Sequence, residues 1–180
     1  METIESITPT TFIEALYGPA YEGWLTVFTM PGNHTSWYES ASIAAIEPAL
    51  TQIRADHNIY FGLGLRKNQN PTGRGREEDI GSIPGLWIDL DIADPVHKAG
   101  GLPPTIEDAY SLLAESIPLL PSIIIHSGHG LQAYWLFREA LDCSTPESNA
   151  EAKALCQRFQ QNFCNAGAAH GWHVDTTHDL

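Results

Sequence analysis

Positive charge is scarce in this 180-residue chain. Nine Lys and Arg stand against 22 Asp and Glu, a formal net charge of −13 with His neutral. That balance excludes a surface that is basic throughout, the usual mark of a nucleic-acid binder, and leaves only local clusters of positive sign to consider. Cysteine is equally sparse. Cys143, Cys156 and Cys164 are odd in number and show no C-x-x-C spacing. A disulfide framework is excluded, and reduced thiols in a cytoplasmic protein are expected. No apolar run approaches the ~20 residues that cross a bilayer. The opening METIESITPT has no basic region followed by an apolar core, so neither a secretory signal nor a membrane partner is expected. Internal repeats and low-complexity segments are also missing.

What remains is an ordinary globular composition, 43% apolar, in a length that suits one domain, or one domain with a small lobe. The most informative stretch is GLWIDLD, Gly85 to Asp91. In a strand, successive side chains alternate faces. Asp89 and Asp91 then point the same way beside Trp87, while Ile88, Leu90 and Ile92 point the other way and can bury. Two acids side by side repel each other, and a divalent cation between them removes the repulsion. A solvated edge strand with two surface acids is the plainer reading.

Upstream, Phe12 to Gly23 carries a weakly helical pattern ended by Gly and Pro. Trp24 to Met30 is β-branched and aromatic and reads as a strand closed by Pro31 to Asn33. Ile43, Ile46, Leu50 and Ile53 recur at helical spacing around Pro48. Ile59 to Leu65 reads as a second strand, and its glycines indicate a close approach to the backbone. Arg66 to Ile83 is nearly devoid of apolar residues. Arg66, Lys67, Arg74 and Arg76 place four of the nine basic residues within eleven positions, as a mobile solvated loop or as a loop that meets phosphates.

Downstream, Asp94 to Pro104 is turn material. Thr105 with Asp108 forms a capping box for a helix that Pro118 and Pro121 close. Ser122 to His126 and Leu131 to Phe137 read as a hairpin around the turn Ser127-Gly-His-Gly130. Thr145 and Pro146 start a long helix that Gly167 and Gly171 end. Trp172 to Asp175 reads as a strand or a buried turn. From Gly85 the order is therefore strand, helix, strand, strand, helix, strand. The expected fold is α+β: an RRM-like four-stranded sheet with two helices over residues 85–180, fused to an N-terminal α/β part over residues 1–84. The 180 residues would form a single catalytic domain truncated at its C-terminus.

The ordered set GLWIDLD, SIIIHSGHGLQAYWLF and HVDTTHDL resembles the archaeo-eukaryotic primase superfamily, and within it the primase-polymerase domains of phages and plasmids. The resemblance covers roughly residues 57 to 180. It implies template-directed nucleotidyl transfer from a dNTP or NTP to a 3′-hydroxyl. Asp89, Asp91 and Asp175 would be catalytic and would hold two Mg2+ or Mn2+ ions, which take hard carboxylate oxygens. Such ions, roughly 3.5–4 Å apart, clamp the attacking and leaving oxygens. Asp179 is an alternative third ligand. Ser127, Gly128, His129 and Gly130 would bind the triphosphate, their N–H groups forming a nest, with charge from Arg66 and Lys67. Gln132 stands where many members carry the nucleotide-contacting His, so either His129 or Gln132 takes that role. DNA template and primer would be partners, with a helicase or other domain in a longer protein.

Two other readings stand beside this one. His126, His129, His170, His173 and His178 with Asp175 are candidates for a zinc or non-haem iron site, although no tight ligand motif joins them. A non-catalytic RRM-like module would bind nucleic acid by stacking bases on exposed aromatics.

Overall fold

The computed structural model describes residues 8–18, 21–53, 55–70, 73–94 and 100–176. Asp179 and His178 lie outside them. Among the described residues the chain is mixed α and β, with seven antiparallel-paired strands and four helices, and it divides into two compact units. The first comprises Met1–Pro84 and Glu139–Asn149, the second Gly85–Arg138 and Ala150–Leu180. Among the described residues no helix is long and apolar enough to cross a membrane.

In the first unit, helix α1 (Pro9–Tyr17) begins at Thr8, whose side chain accepts from the Thr11 N–H, and stops at Gly18. Its apolar stripe buries Ile13, Leu16 and Tyr17, and the Tyr17 hydroxyl donates to the Leu63 carbonyl at 2.7 Å. Strand β1 (Trp24–Met30) has the expected bounds. It pairs with β2 (His34–Glu39), which was not expected. No β2 residue is fully buried, so HTSWYE carries no apolar alternation to announce it. The expected helix around Pro48 is a 3-10 turn, Ser40–Ala45, running into the short α2 (Ile46–Leu50).

The expected strand from Ile59 to Leu65 is two strands, β3 (Asn58–Phe61) and β4 (Leu65–Arg66). Gly64 explains part of the break: a Cβ there would meet the Ile80 side chain at 2.9 Å. The close approach read from that glycine is therefore core packing. Strand β5 (Ile80–Asp91) starts five residues before GLWIDLD, because Ile80 and Ile83 are fully buried.

The second unit holds Gly85 to Asp91 of β5, helix α3 (Ile106–Ser116), β6 (Ile123–His126), β7 (Gly130–Asp142) as far as Arg138, and α4 (Pro146–Ala169) from Ala150 onward. Strand order in the first unit is β2-β1-β4-β5, with β3 also paired to β1, and in the second unit β5-β7-β6. Thr105 and Asp108 close the capping box reciprocally: Thr105 Oγ1 accepts from the Asp108 N–H at 3.2 Å, and Asp108 accepts from the Thr105 N–H at 3.1 Å. Trp135 of β7 packs edge-on against Phe159 of α4 at 5.0 Å and meets Phe163 at 5.7 Å.

The four-stranded RRM-like arrangement is not completed among the described residues. Trp172 to Thr176 forms no strand. The Trp172 N–H donates to the Gly167 carbonyl, and the His173 N–H donates to the Gly101 carbonyl. Val174 buries against Gly167. These contacts tie the segment to α4 and to the loop before α3, consistent with a buried turn.

Truncating Phe163, fully buried in the aromatic cluster, to Ala removes its ring contacts with Trp135 and Phe159 and is expected to cost about 3–5 kcal/mol. Thr105→Ala costs about 1 kcal/mol through the lost cap. Urea unfolding of the two variants checks both values and their order.

Burial, with the charge of Asp142 second, pushes the Cys143 thiol up to about 11. The fold disfavours the thiolate, so this stabilisation is complete below the ordinary thiol value and is lost as pH rises through about 11. Unfolding free energy is expected to fall between about pH 9 and 11, and less steeply in Cys143→Ala.

Candidate functional site

Strand β5 is two-faced. Ile88 and Leu90 are 1% and 2% exposed, whereas Asp89 is exposed and Trp87 and Asp91 are half-buried. The alternation read from GLWIDLD therefore holds, and both carboxylates lie on the face opposite the core. Strand β7 does not repeat this alternation of burial: Leu131, Ala133, Tyr134 and Trp135 are all buried, and Gln132 is half-buried. The Tyr134 hydroxyl donates to Gln132 Oε1 at 3.3 Å. Its pKa is raised, first by burial and then by the charge of Asp89.

The turn Ser127–Gly130 closes on itself. The Ser127 N–H donates to the Gly130 carbonyl at 3.0 Å, and the Ser127 hydroxyl donates to the same carbonyl at 3.2 Å. The His129 N–H donates to Ser127 Oγ at 3.3 Å. Gly128 adopts φ 91°, a left-handed conformation that favours glycine. Two N–H groups of the expected anion nest, those of Ser127 and His129, are thus engaged within the turn itself.

The turn meets the end of β5. The Ile92 N–H donates to the His129 carbonyl at 2.9 Å. A Cβ on Gly130 would come within 3.0 Å of Asp91 Cα and would collide with the Leu90 carbonyl. Residue 130 must therefore be glycine for the turn to lie against Asp91. The first two expected motifs, Asp89/Asp91 and Ser127/His129, come together in one unit. His129 Nδ1 is hydrogen-bonded to Asp94 Oδ2. Asp94 was not expected as a site residue, because Asp94 and Pro95 carry only the signal of a turn.

Among the described residues no three His, Cys, Asp or Glu side chains are grouped so as to hold a metal ion. Asp175 lies in the segment tied to α4, where its charge acts on Cys164. Among the described residues the histidines of the alternative metal site form no such group; His170 stacks on Trp172 at 4.5 Å and bonds Glu115 at 2.7 Å.

The expected phosphate-binding basic residues belong to the first unit and are engaged there. Arg66 is 8% exposed and donates to the Gly64 carbonyl at 2.6 Å and the Arg74 carbonyl at 3.3 Å. Burial lowers its pKa. Lys67 Nζ donates to the Ser144 carbonyl at 3.1 Å. Arg74 lies 4.5 Å over the Phe28 ring.

Asp89 and Asp91 offer hard oxygens on one face. Mg2+ commonly uses one or two carboxylates and completes its shell with substrate phosphates and water, so this donor pair fits a hard divalent ion without a third protein ligand. Comparison with protein-family models, with curated proteins and with solved structures finds no match.

Gly130→Ala is expected to destabilise the chain by about 1–3 kcal/mol through overpacking against β5. Thermal melting together with faster hydrogen exchange of the Ile92 amide checks it. Unchanged Ile92 protection would separate the turn from the strand.

Proposed function

We propose that this chain is a primase-polymerase catalytic domain that transfers a nucleotidyl group from a dNTP or NTP to a 3′-hydroxyl on a DNA template, with Mg2+ or Mn2+. The observation that carries the reading is the meeting of the Asp-x-Asp strand with the Ser-x-His turn. These are the first two motifs of the primase-polymerase resemblance in their order, and residue 130 must be glycine for them to touch.

On this reading Asp89 and Asp91 supply the carboxylates that hold the divalent ions. Such ions neutralise charge on the transferred phosphoryl group and lower the pKa of the attacking hydroxyl. His129 and Gln132 supply hydrogen bonds to the triphosphate, and the exposed turn presents His129 to it. The 3′-oxygen forms a bond to the α-phosphorus, the α–β bridge breaks and pyrophosphate leaves. The reading does not draw on Arg66 or Lys67, which are engaged in the first unit. With net charge −13, template affinity is weak and salt-sensitive, and another domain, such as a helicase, holds the DNA.

Primer extension on a single-stranded template, with dNTPs and Mg2+ or Mn2+, tests the proposal. Asp89→Asn and Asp91→Asn are each expected to cut incorporation about a thousandfold, the several kcal/mol of charge stabilisation that metal coordination supplies, while far-ultraviolet circular dichroism stays unchanged. Wild-type incorporation by the double variant would overturn the assignment. Nucleic-acid binding that strengthens in Asp89→Asn, with no incorporation by the wild type, would favour the non-catalytic module.

A further inference from the structure

We infer that Asp94 is a positioning residue that aims the His129 ring at the triphosphate; the inference rests on the primase-polymerase reading above. His129 is held at three points. Its N–H donates to Ser127 Oγ, its carbonyl accepts from Ile92, and its Nδ1 meets the Asp94 carboxylate. The first two fix the backbone, and the third fixes the plane and direction of the ring. The Asp94 side chain is only 16% exposed, whereas that of His129 is 51% exposed.

The carboxylate is itself set on anchored backbone. Immediately before it, the Ile92 N–H donates to His129 and the Ala93 N–H donates to the Pro103 carbonyl at 2.9 Å. With Nδ1 turned to Asp94, the Nε2 edge of the ring faces away from it. A ring carrying both protons then donates Nδ1–H to Asp94 and Nε2–H to a phosphate oxygen. This is the arrangement by which a histidine's second nitrogen is orientated through its first. It assigns the nucleotide contact to His129 and leaves Gln132, whose Oε1 accepts from Tyr134, a secondary donor.

The test uses the 180-residue chain, dATP with Mg2+ and no template. Nitrogen-15 spectra of the His129 ring are expected to show a protonated Nδ1 in the free protein and both nitrogens protonated in the complex. Asp94→Ala is expected to weaken dATP binding about tenfold, the scale of a lost charge-assisted hydrogen bond. Asp94→Asn, which still accepts at its amide oxygen, is expected to stay within about threefold. His129→Ala/Asp94→Ala is expected to bind no worse than His129→Ala alone, because Asp94 acts through the ring.

An unprotonated Nδ1 in the free wild type overturns the inference without any variant. So does an Asp94→Ala loss of equal size in the His129→Ala background. Wild-type affinity in Asp94→Ala beside a weakened His129→Ala overturns it and leaves the primase-polymerase reading standing. Absence of dATP binding by the wild type removes both.

Discussion

Ile88 and Leu90 are locked in the core, and a strand cannot bury them without presenting Asp89 and Asp91 on its other face. A slip of one residue in the pairing of β5 would bury two carboxylates and expose two large apolar side chains. Burying an unpaired carboxylate is among the most expensive changes a fold can suffer, so the register is strongly specified. The direction of the acids is therefore set by the core behind them, and the chemistry in front inherits that rigidity.

The second constraint is the approach of the Ser127–Gly130 turn to the end of β5. The Ile92 to His129 hydrogen bond and the missing Cβ at Gly130 bring a turn from the β6–β7 hairpin against a residue nearly forty positions earlier. Neither motif alone has much meaning: Asp-x-Asp is common, and a Gly-rich hairpin turn is ordinary. Their contact brings the two segments together in one unit, with Asp94 joining through the same segment.

Elements with capped ends or strong alternation were legible in the sequence. Strand β1 fell at its expected bounds, and α3 and α4 started where Thr105 and Pro146 indicated. Strand β2 was not legible, because its pairing with β1 comes from position after a tight turn and not from its own polar sequence. The upstream part of β5 was hidden for a related reason: Ile80 and Ile83 are separated by Gly and Ser and do not read as a strand until Ile80 is seen against Gly64. At the site, residue types and faces could be read, but partners could not. Nothing in the sequence joins Asp94 to His129, and nothing in the basic segment announces that Arg66 is buried against backbone carbonyls.

That burial bears on how a nucleotide would be held. Arg66, Lys67, Arg74 and Arg76 are occupied by a carbonyl, a second carbonyl, an aromatic ring and Glu78 respectively. The cations that the sequence offers most densely are thus engaged in the first unit. The carboxylate face, met by a triphosphate with no ion present, is anion against anion, and at a few ångströms that repulsion amounts to kcal/mol even at an effective dielectric near 20. On the proposed reading, the charge that reconciles the two partners comes with the divalent ion. Two strand carboxylates leave much of its coordination shell to phosphate oxygens, so ion and nucleotide bind as a unit. On the same reading, a histidine aimed by Asp94 stands where a Lys or Arg would otherwise meet the phosphates.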